Sequence, residues 1–302
     1  MEKRTTESLT EDELQSFIEG VMERKTKNLF HNVFYEPYKR TQDSYCLPDI
    51  KVTEGVTCEL GLPVPPARTM RGYGPDPDIY LRSGKANAEK MLELMEKNGR
   101  PLKNTDKILD FGCGAGRMTR WLGLLGDGED YYGVDVLGED VFWAKQNLGE
   151  KIKFFMNIRL PHLQFEDNFF DFIFAGSVFS HIDDLTEAWL MELKRVTKPG
   201  GYLYLTLLDE NSIDILSNKR RDHLEKDVFA NREDHIIKYD NFCARDYGMF
   251  NIRRSQIQSL RAGSPQTFYH SNYFKKLAGQ FFEIAGYEQN AYGYQSAAIL
   301  KK

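Results

Sequence analysis

Apolar positions along this chain change rhythm three times, and each rhythm predicts a different kind of structure. From Ser83 onward, short apolar runs alternate with segments whose apolar residues return every three or four positions. The short runs predict strands at 107–110, 130–135, 152–156, 171–175 and 202–207. The longer segments predict helices at 85–97, 117–125, 139–148 and 184–196. Ser83 stands where an N-cap belongs for the first helix, and Asn98-Gly99 closes it. Lys198-Pro199-Gly200-Gly201 reads as a sharp stop after the last. Strand and helix alternating at this spacing predict an α/β fold, a parallel sheet with helices on both faces.

The rhythm is absent on either side. Residues 9–22 read as an amphipathic helix with Leu14, Phe17, Ile18, Val21 and Met22 on one face. The aromatics Phe30, Phe34, Tyr35 and Tyr38 follow, and then a connector broken by Pro63, Pro65, Pro66, Pro75 and Pro77. Prolines at this density predict extended, turn-punctuated chain. Beyond residue 208, the stretch 218–235 is dense in charge and reads as a solvated helix, and 239–250 is aromatic. Periodicity returns with a helix at 271–280 and strands at 281–285 and 296–301. The expected division is a helical and irregular lid over 1–80, a core over 81–208, an inserted substrate cap over 209–266, and a C-terminal helix and strands over 267–302.

Charge and cysteine content narrow the partners. The 302 residues carry a net charge of −5 with no long basic run, which argues against a nucleic-acid substrate. No apolar stretch reaches membrane-span length, and the polar first residues hold no signal-peptide core, so a cytoplasmic protein without a membrane partner is expected. Cys46, Cys58, Cys113 and Cys243 lie far apart, which reads as free thiols and not as a metal site.

The candidate chemistry is concentrated in Leu109-Asp110-Phe111-Gly112-Cys113-Gly114-Ala115-Gly116, where a strand ends in an acid and three glycines alternate before a helix begins. Glycine permits positive φ and a close approach by a ligand, and the N–H groups of the helix start attract a carboxylate or phosphate. The dinucleotide fingerprint G-x-G-x-x-G requires glycine where this chain has Arg117. Asp135 ends the next strand, about twenty residues on, the distance at which a nucleotide-binding sheet places an acid on ribose hydroxyls.

The order D-x-G-x-G-x-G resembles the first motif of class I S-adenosylmethionine (SAM) dependent methyltransferases. Further segments agree in order: Phe165-Glu166-Asp167-Asn168-Phe169-Phe170-Asp171-Phe172-Ile173, and Leu193-Lys194-Arg195-Val196-Thr197-Lys198-Pro199-Gly200-Gly201, which is similar to the type 11 methyltransferases. Gly293-Tyr294-Gln295-Ser296-Ala297-Ala298 is similar to the closing hairpin of that family. The resemblance implies a Rossmann-like, mostly parallel sheet of seven strands with an antiparallel last strand. It implies SAM as cofactor, with S-adenosyl-L-homocysteine as product, held by Asp110, Gly112, Cys113, Gly114, Gly116, Asp135, Asn157 and Ser177. The family often has aspartate where Asn157 stands, near the adenine amine. His181 and His270 are the candidate bases; His181 is weighed against a cap on the next helix, and Ser271 is the candidate cap of the helix that follows His270. Tyr269 is a candidate to face the acceptor, and Tyr73, Tyr80 and Arg82 are candidates to close over the cofactor. The implied reaction is methyl transfer to an oxygen or nitrogen of a small molecule, with no metal. The competing readings are a protein or glycan acceptor, a SAM-binding protein without transfer, and a dinucleotide-dependent oxidoreductase.

Overall fold

The computed structural model describes residues 57–59, 61–70, 73, 76–122, 130–149, 152–182, 185–219, 249–252 and 266–302. After an opening helix α1 (Pro77–Lys97) the expected alternation runs β1 (Ile108–Phe111), α2 (Thr119–Leu122), β2 (Tyr131–Asp135), α3 (Gly138–Leu148), β3 (Ile152–Met156) and β4 (Phe170–Ala175). A 3-10 turn (Phe179–His181) leads to α4 (Thr186–Val196), β5 (Thr197–Leu207) and α5 (Glu210–Lys219). The chain closes with β6 (Met249–Ile252), β7 (Gln266–Tyr269), α6 (Ser271–Ala278), β8 (Glu283–Tyr292) and β9 (Gln295–Lys301).

Seven strands form one sheet in the order β3-β2-β1-β4-β5-β9-β8. The first five pair in parallel, and β9 runs antiparallel to both β5 and β8. Consecutive residues of a strand face opposite sides, so each apolar run feeds two cores. Ile108, Phe172, Phe174, Tyr204 and Ile299 pack with Met91, Leu94, Trp143 and Leu148 of α1 and α3. Leu109, Ile173, Leu203, Leu205 and Leu300 pack with Trp189, Leu193, Phe274 and Leu277 of α4 and α6. Burial on both faces is why these strands read as continuous apolar runs and not as an alternation. Strand order reverses beside β1, between β1 and β4, which in an open α/β sheet is where a crevice forms at the C-terminal strand ends.

Several boundaries differ from expectation. Helix α1 starts at Pro77, ahead of Ser83 and across the 80/81 division. Asp76 is its N-cap, accepting from Asp78 N at 2.9 Å, while Ser83 Oγ donates to Tyr80 O. Proline has no N–H to lose at the first helical position, so Pro77 opens this helix and does not break it. Helix α2 begins at Thr119, because 114–118 remain in turns and Gly116 holds φ at 74°. Strand β5 begins at Thr197, so the Lys-Pro-Gly-Gly segment is both helix stop and strand start, with a register shift at Phe170/Phe172. The predicted strand at 281–285 is displaced into a hairpin, Glu283–Tyr292 with Gln295–Lys301. The predicted helix at 9–22, most of the charged stretch 218–235, Cys46 and Cys243 lie outside the described residues. No helix among the described residues is long and apolar enough to cross a membrane.

Residues ahead of α1 lie on the back of the glycine turn. Cys58, Val64 and Met70 pack with Tyr80 of α1, and Arg120 donates to Pro63 O at 3.0 Å. Arg68 pairs with Glu139 at the start of α3.

Candidate functional site

Parallel strands end on one edge, so Gly112, Asp135, Asn157 and Ser177 come together from β1, β2, β3 and β4 although the chain separates them widely. The turn after β1 is tied to β2: Gly112 N and Cys113 N both donate to Val134 O, at 2.8 and 3.0 Å. Asp135 closes it further, with Oδ2 accepting from Gly114 N at 2.8 Å and Oδ1 from Leu137 N at 2.9 Å. The three glycines have φ of 90°, 52° and 74°, but different surroundings. A Cβ on Gly112 would stand 2.2 Å from Val178 Cγ2, and one on Gly116 2.6 Å from Leu148 Cδ1. A Cβ on Gly114 would meet nothing within 4 Å. Gly112 and Gly116 are therefore required by packing, and Gly114 fronts open space.

Asp110 is buried and accepts from Thr119 Oγ1. Burial, with Asp135 adding to it, pushes its carboxyl up to about 7, against the opposing pulls of Thr119 and Arg117. Asn157 is buried too; its N–H donates to Asp135 O at 3.0 Å and its Nδ2 to Ile158 O at 3.2 Å. Its Oδ1 is buried with no hydrogen-bond partner among the described residues. Phe155, Met156 and Ile158 lie exposed beside it. Exposed apolar side chains next to an orphaned carbonyl oxygen describe a place for a flat group that carries an amine donor.

The remaining candidates fall into two groups. Ser177, with φ of 61°, is held in the left-handed region by a closed ring of bonds. Its N–H donates to Thr206 Oγ1 at 2.6 Å, Thr206 donates to Gln295 Oε1 at 2.7 Å, and Gln295 Nε2 donates to Ser177 Oγ at 2.8 Å. Strain of this kind, at a strand end, is retained where surrounding structure over-determines it. His181 ends the 3-10 turn after β4 with an exposed side chain.

Elsewhere the structure corrects the sequence reading. His270, and not Ser271, caps α6: its Nδ1 accepts from Asn272 N at 3.3 Å, while Ser271 bonds to Glu210. Tyr269 is buried, and its OH donates to Ile182 O at 2.8 Å. Arg82 is exposed and bonds to Asp78 O. Cys113 is buried in the core, where burial pushes its thiol up, and its Sγ donates to Gly114 O at 3.4 Å within the turn.

A sequence comparison matches residues 109–205 to a family described as "Methyltransferase domain". Residues 109–205 match a methyltransferase domain. The domain spans β1 to β5 and includes the turn, Asp135, Asn157 and the β4 exit. Among relatives, an uncharacterized methyltransferase of Schizosaccharomyces pombe is 38% identical over 111 residues, 34% of this chain and 40% of that protein. The ubiquinone biosynthesis O-methyltransferase of Rattus norvegicus is 31% identical over 121 residues, 38% of this chain and 34% of that one. The chain thus spans less than half the length of these relatives. The solved phosphoethanolamine N-methyltransferase 1 of Haemonchus contortus shares the fold, with a TM-score of 0.50 at 12% identity over 78% of this chain and 46% of that one.

The residues of the methyltransferase domain fit SAM on two observations: the orphaned Asn157 Oδ1 and the open space before Gly114. The sequence reading missed Arg117, Thr119, Thr206, Tyr292 and Gln295 around this site. For Arg117 the signal was present, since it is the residue that breaks the dinucleotide spacing.

Proposed function

We propose that the chain transfers a methyl group from SAM to an oxygen or nitrogen of a small-molecule acceptor. The observation that carries this reading is the buried, unpartnered Asn157 Oδ1 one strand away from Asp135, with the open glycine turn between them and β1. Asn157 accepts from the adenine amine, and the neighbouring exposed apolar residues cover the ring. Asp135, at the end of β2, takes the ribose hydroxyls as a carboxylate suited to accept from two vicinal hydroxyls. Asp110 faces the ammonium of the amino-acid end. When bound, SAM supplies an electrophilic methyl group.

The protein's part is to align acceptor and methyl and to keep water away, and alignment alone supplies much of the rate. The acceptor enters where β4 ends, beside Ser177 and Ser180. For a hydroxyl acceptor His181, whose imidazole is exposed just after β4, removes the proton. His270 is already engaged in the α6 cap. Acceptor choice resides in residues 1–80 and 209–266, which lie outside the matched domain. The rat relative's name, which specifies O-methylation in ubiquinone biosynthesis, supports a small acceptor.

The deciding experiment incubates methyl-labelled SAM with the protein and a size-fractionated cell extract. Label in the small-molecule fraction is expected; label only in the large fraction replaces the acceptor half of the reading. His181→Ala is expected to slow turnover roughly 10²–10⁴-fold without changing SAM affinity; an unchanged rate removes His181 from the chemistry. Asp135→Ala is expected to weaken SAM binding by on the order of 1–3 kcal/mol in a calorimetric titration, and wild-type affinity would take the ribose away from it.

A further inference from the structure

Arg117 is 7% exposed, and the side chains that its guanidinium bonds or stacks on are neutral. Its Nη2 donates to Tyr292 OH and its Nη1 to Ser83 Oγ at 3.2 Å. The guanidinium lies 4.1 Å from the ring centre of Tyr73 and 5.2 Å from that of Tyr292, and the two tyrosine hydroxyls stand 2.9 Å apart. A guanidinium keeps its charge and offers five N–H donors, more than these two bonds use. The other interior arginine of this region is treated differently. Arg120 donates to the backbone carbonyl oxygens of Gly116, Pro63 and Ala115. Arg195, nearer the surface, has Glu192 and Asp167. Arg117 has neither carbonyl nor carboxylate. Aromatic faces offset only part of what a buried cation loses on leaving water.

Its position supplies the rest. Arg117 directly follows the third glycine of the turn, and Asp110 directly precedes the turn's strand end. These two opposite charges are close enough to influence one another, yet they do not pair: Asp110 bonds to Thr119 and Arg117 to hydroxyls. A buried acid and a buried base that flank one turn without joining match a ligand that brings both opposite charges, and an α-amino-acid head does so. A planar fork suits its carboxylate.

We propose that Arg117, clasped by Tyr73 from the N-terminal segment and Tyr292 from the β8–β9 hairpin, is the receptor for a carboxylate, and that this is the carboxylate of the amino-acid end of SAM. This rests on the methyltransferase reading above. The ligand thereby draws together three separate segments, one before the domain, one in it and one after it.

The test titrates the full chain calorimetrically with S-adenosylhomocysteine, which has the amino-acid end, and with 5′-methylthioadenosine, which lacks it. Wild type is expected to prefer the first by on the order of 100-fold. Arg117→Met is expected to cut that preference roughly 10- to 100-fold while leaving methylthioadenosine affinity unchanged. Arg117→Lys, which keeps charge without the fork, falls between, and it carries the same readout where the methionine variant does not fold. An unchanged preference in both variants overturns the proposal and leaves the cation to a carboxylate of the acceptor. Failure of wild type to bind either nucleoside overturns the methyltransferase reading, and this inference with it.

Discussion

Gly114→Ala loses only about 1–2 kcal/mol of stability to backbone strain and binds SAM roughly 10- to 100-fold more weakly, whereas Gly112→Ala loses considerably more stability than that. Both glycines have positive φ, so an alanine at either costs about 1–2 kcal/mol of backbone strain. The side chains meet different fates. At Gly114 the new methyl has no neighbour within 4 Å, so nothing in the folded protein resists it beyond that strain. It projects into the space that the proposed cofactor needs, and intrusions of this kind typically cost 1–3 kcal/mol. At Gly112 the methyl arrives 2.2 Å from Val178 Cγ2, and Val178 belongs to the β4 exit that positions Ser177 and His181. The clash adds to the strain, and the loss appears as a lower melting temperature of several degrees before any ligand is present. Gly116→Ala, at 2.6 Å from Leu148 Cδ1, behaves like Gly112→Ala. Melting curves and calorimetric titrations on the three variants separate the two effects. A Gly114→Ala protein with wild-type affinity would remove the turn from the binding site.

The division between packing glycines and the open one was invisible in the sequence, where all three look alike. What could be read there was whatever depends on neighbours along the chain. The five strands that feed two cores announce themselves as apolar runs, and Ile152–Met156 matches its expected bounds. Asp110, Asp135 and Asn157 were readable because a parallel sheet puts strand ends on one edge wherever the helices between them lie. What was not legible there shares a cause. Pro77 looks like a breaker unless Asp76 is seen to cap the helix it opens. His270 looks like a base until the N–H of Asn272 is found on its Nδ1. Ser177 depends on Thr206 and Gln295, and Arg117 on Tyr73 and Tyr292, residues that only the closed sheet and hairpin bring to them. Composition makes an arginine beside a glycine turn look solvated; convergence of three segments makes it buried.

SAM affinity rises as pH rises toward 7, and the stability of the unliganded protein falls over the same interval. Both follow from Asp110. Its folded-state carboxyl is pushed up to about 7, above the ordinary aspartate value of 3.8, because burial and the nearby Asp135 disfavour its charge more than Thr119 and Arg117 favour it. For a group raised in the folded state, the folded protein binds the proton more tightly than the unfolded chain does. The stability it contributes is fully present below the unfolded value and is lost as pH climbs through about 7, an effect on the order of a few kcal/mol. Binding has the opposite sign. Facing the ammonium of SAM requires the ionised carboxylate, so affinity falls by roughly tenfold for each pH unit below 7 and levels off above it. Asp110→Asn keeps an oxygen to accept from Thr119 and removes the charge. This variant melts at or above the wild-type temperature at pH 8, binds more weakly there, and shows neither slope. Melting curves without ligand and titrations with S-adenosylhomocysteine between pH 5 and 8 measure both slopes on the same samples. A wild-type affinity that is flat across this range, or a slope that persists in Asp110→Asn, would mean that another group holds the ammonium. The stability slope would then belong to Asp110 alone, as the cost of burying an acid that the ligand does not use.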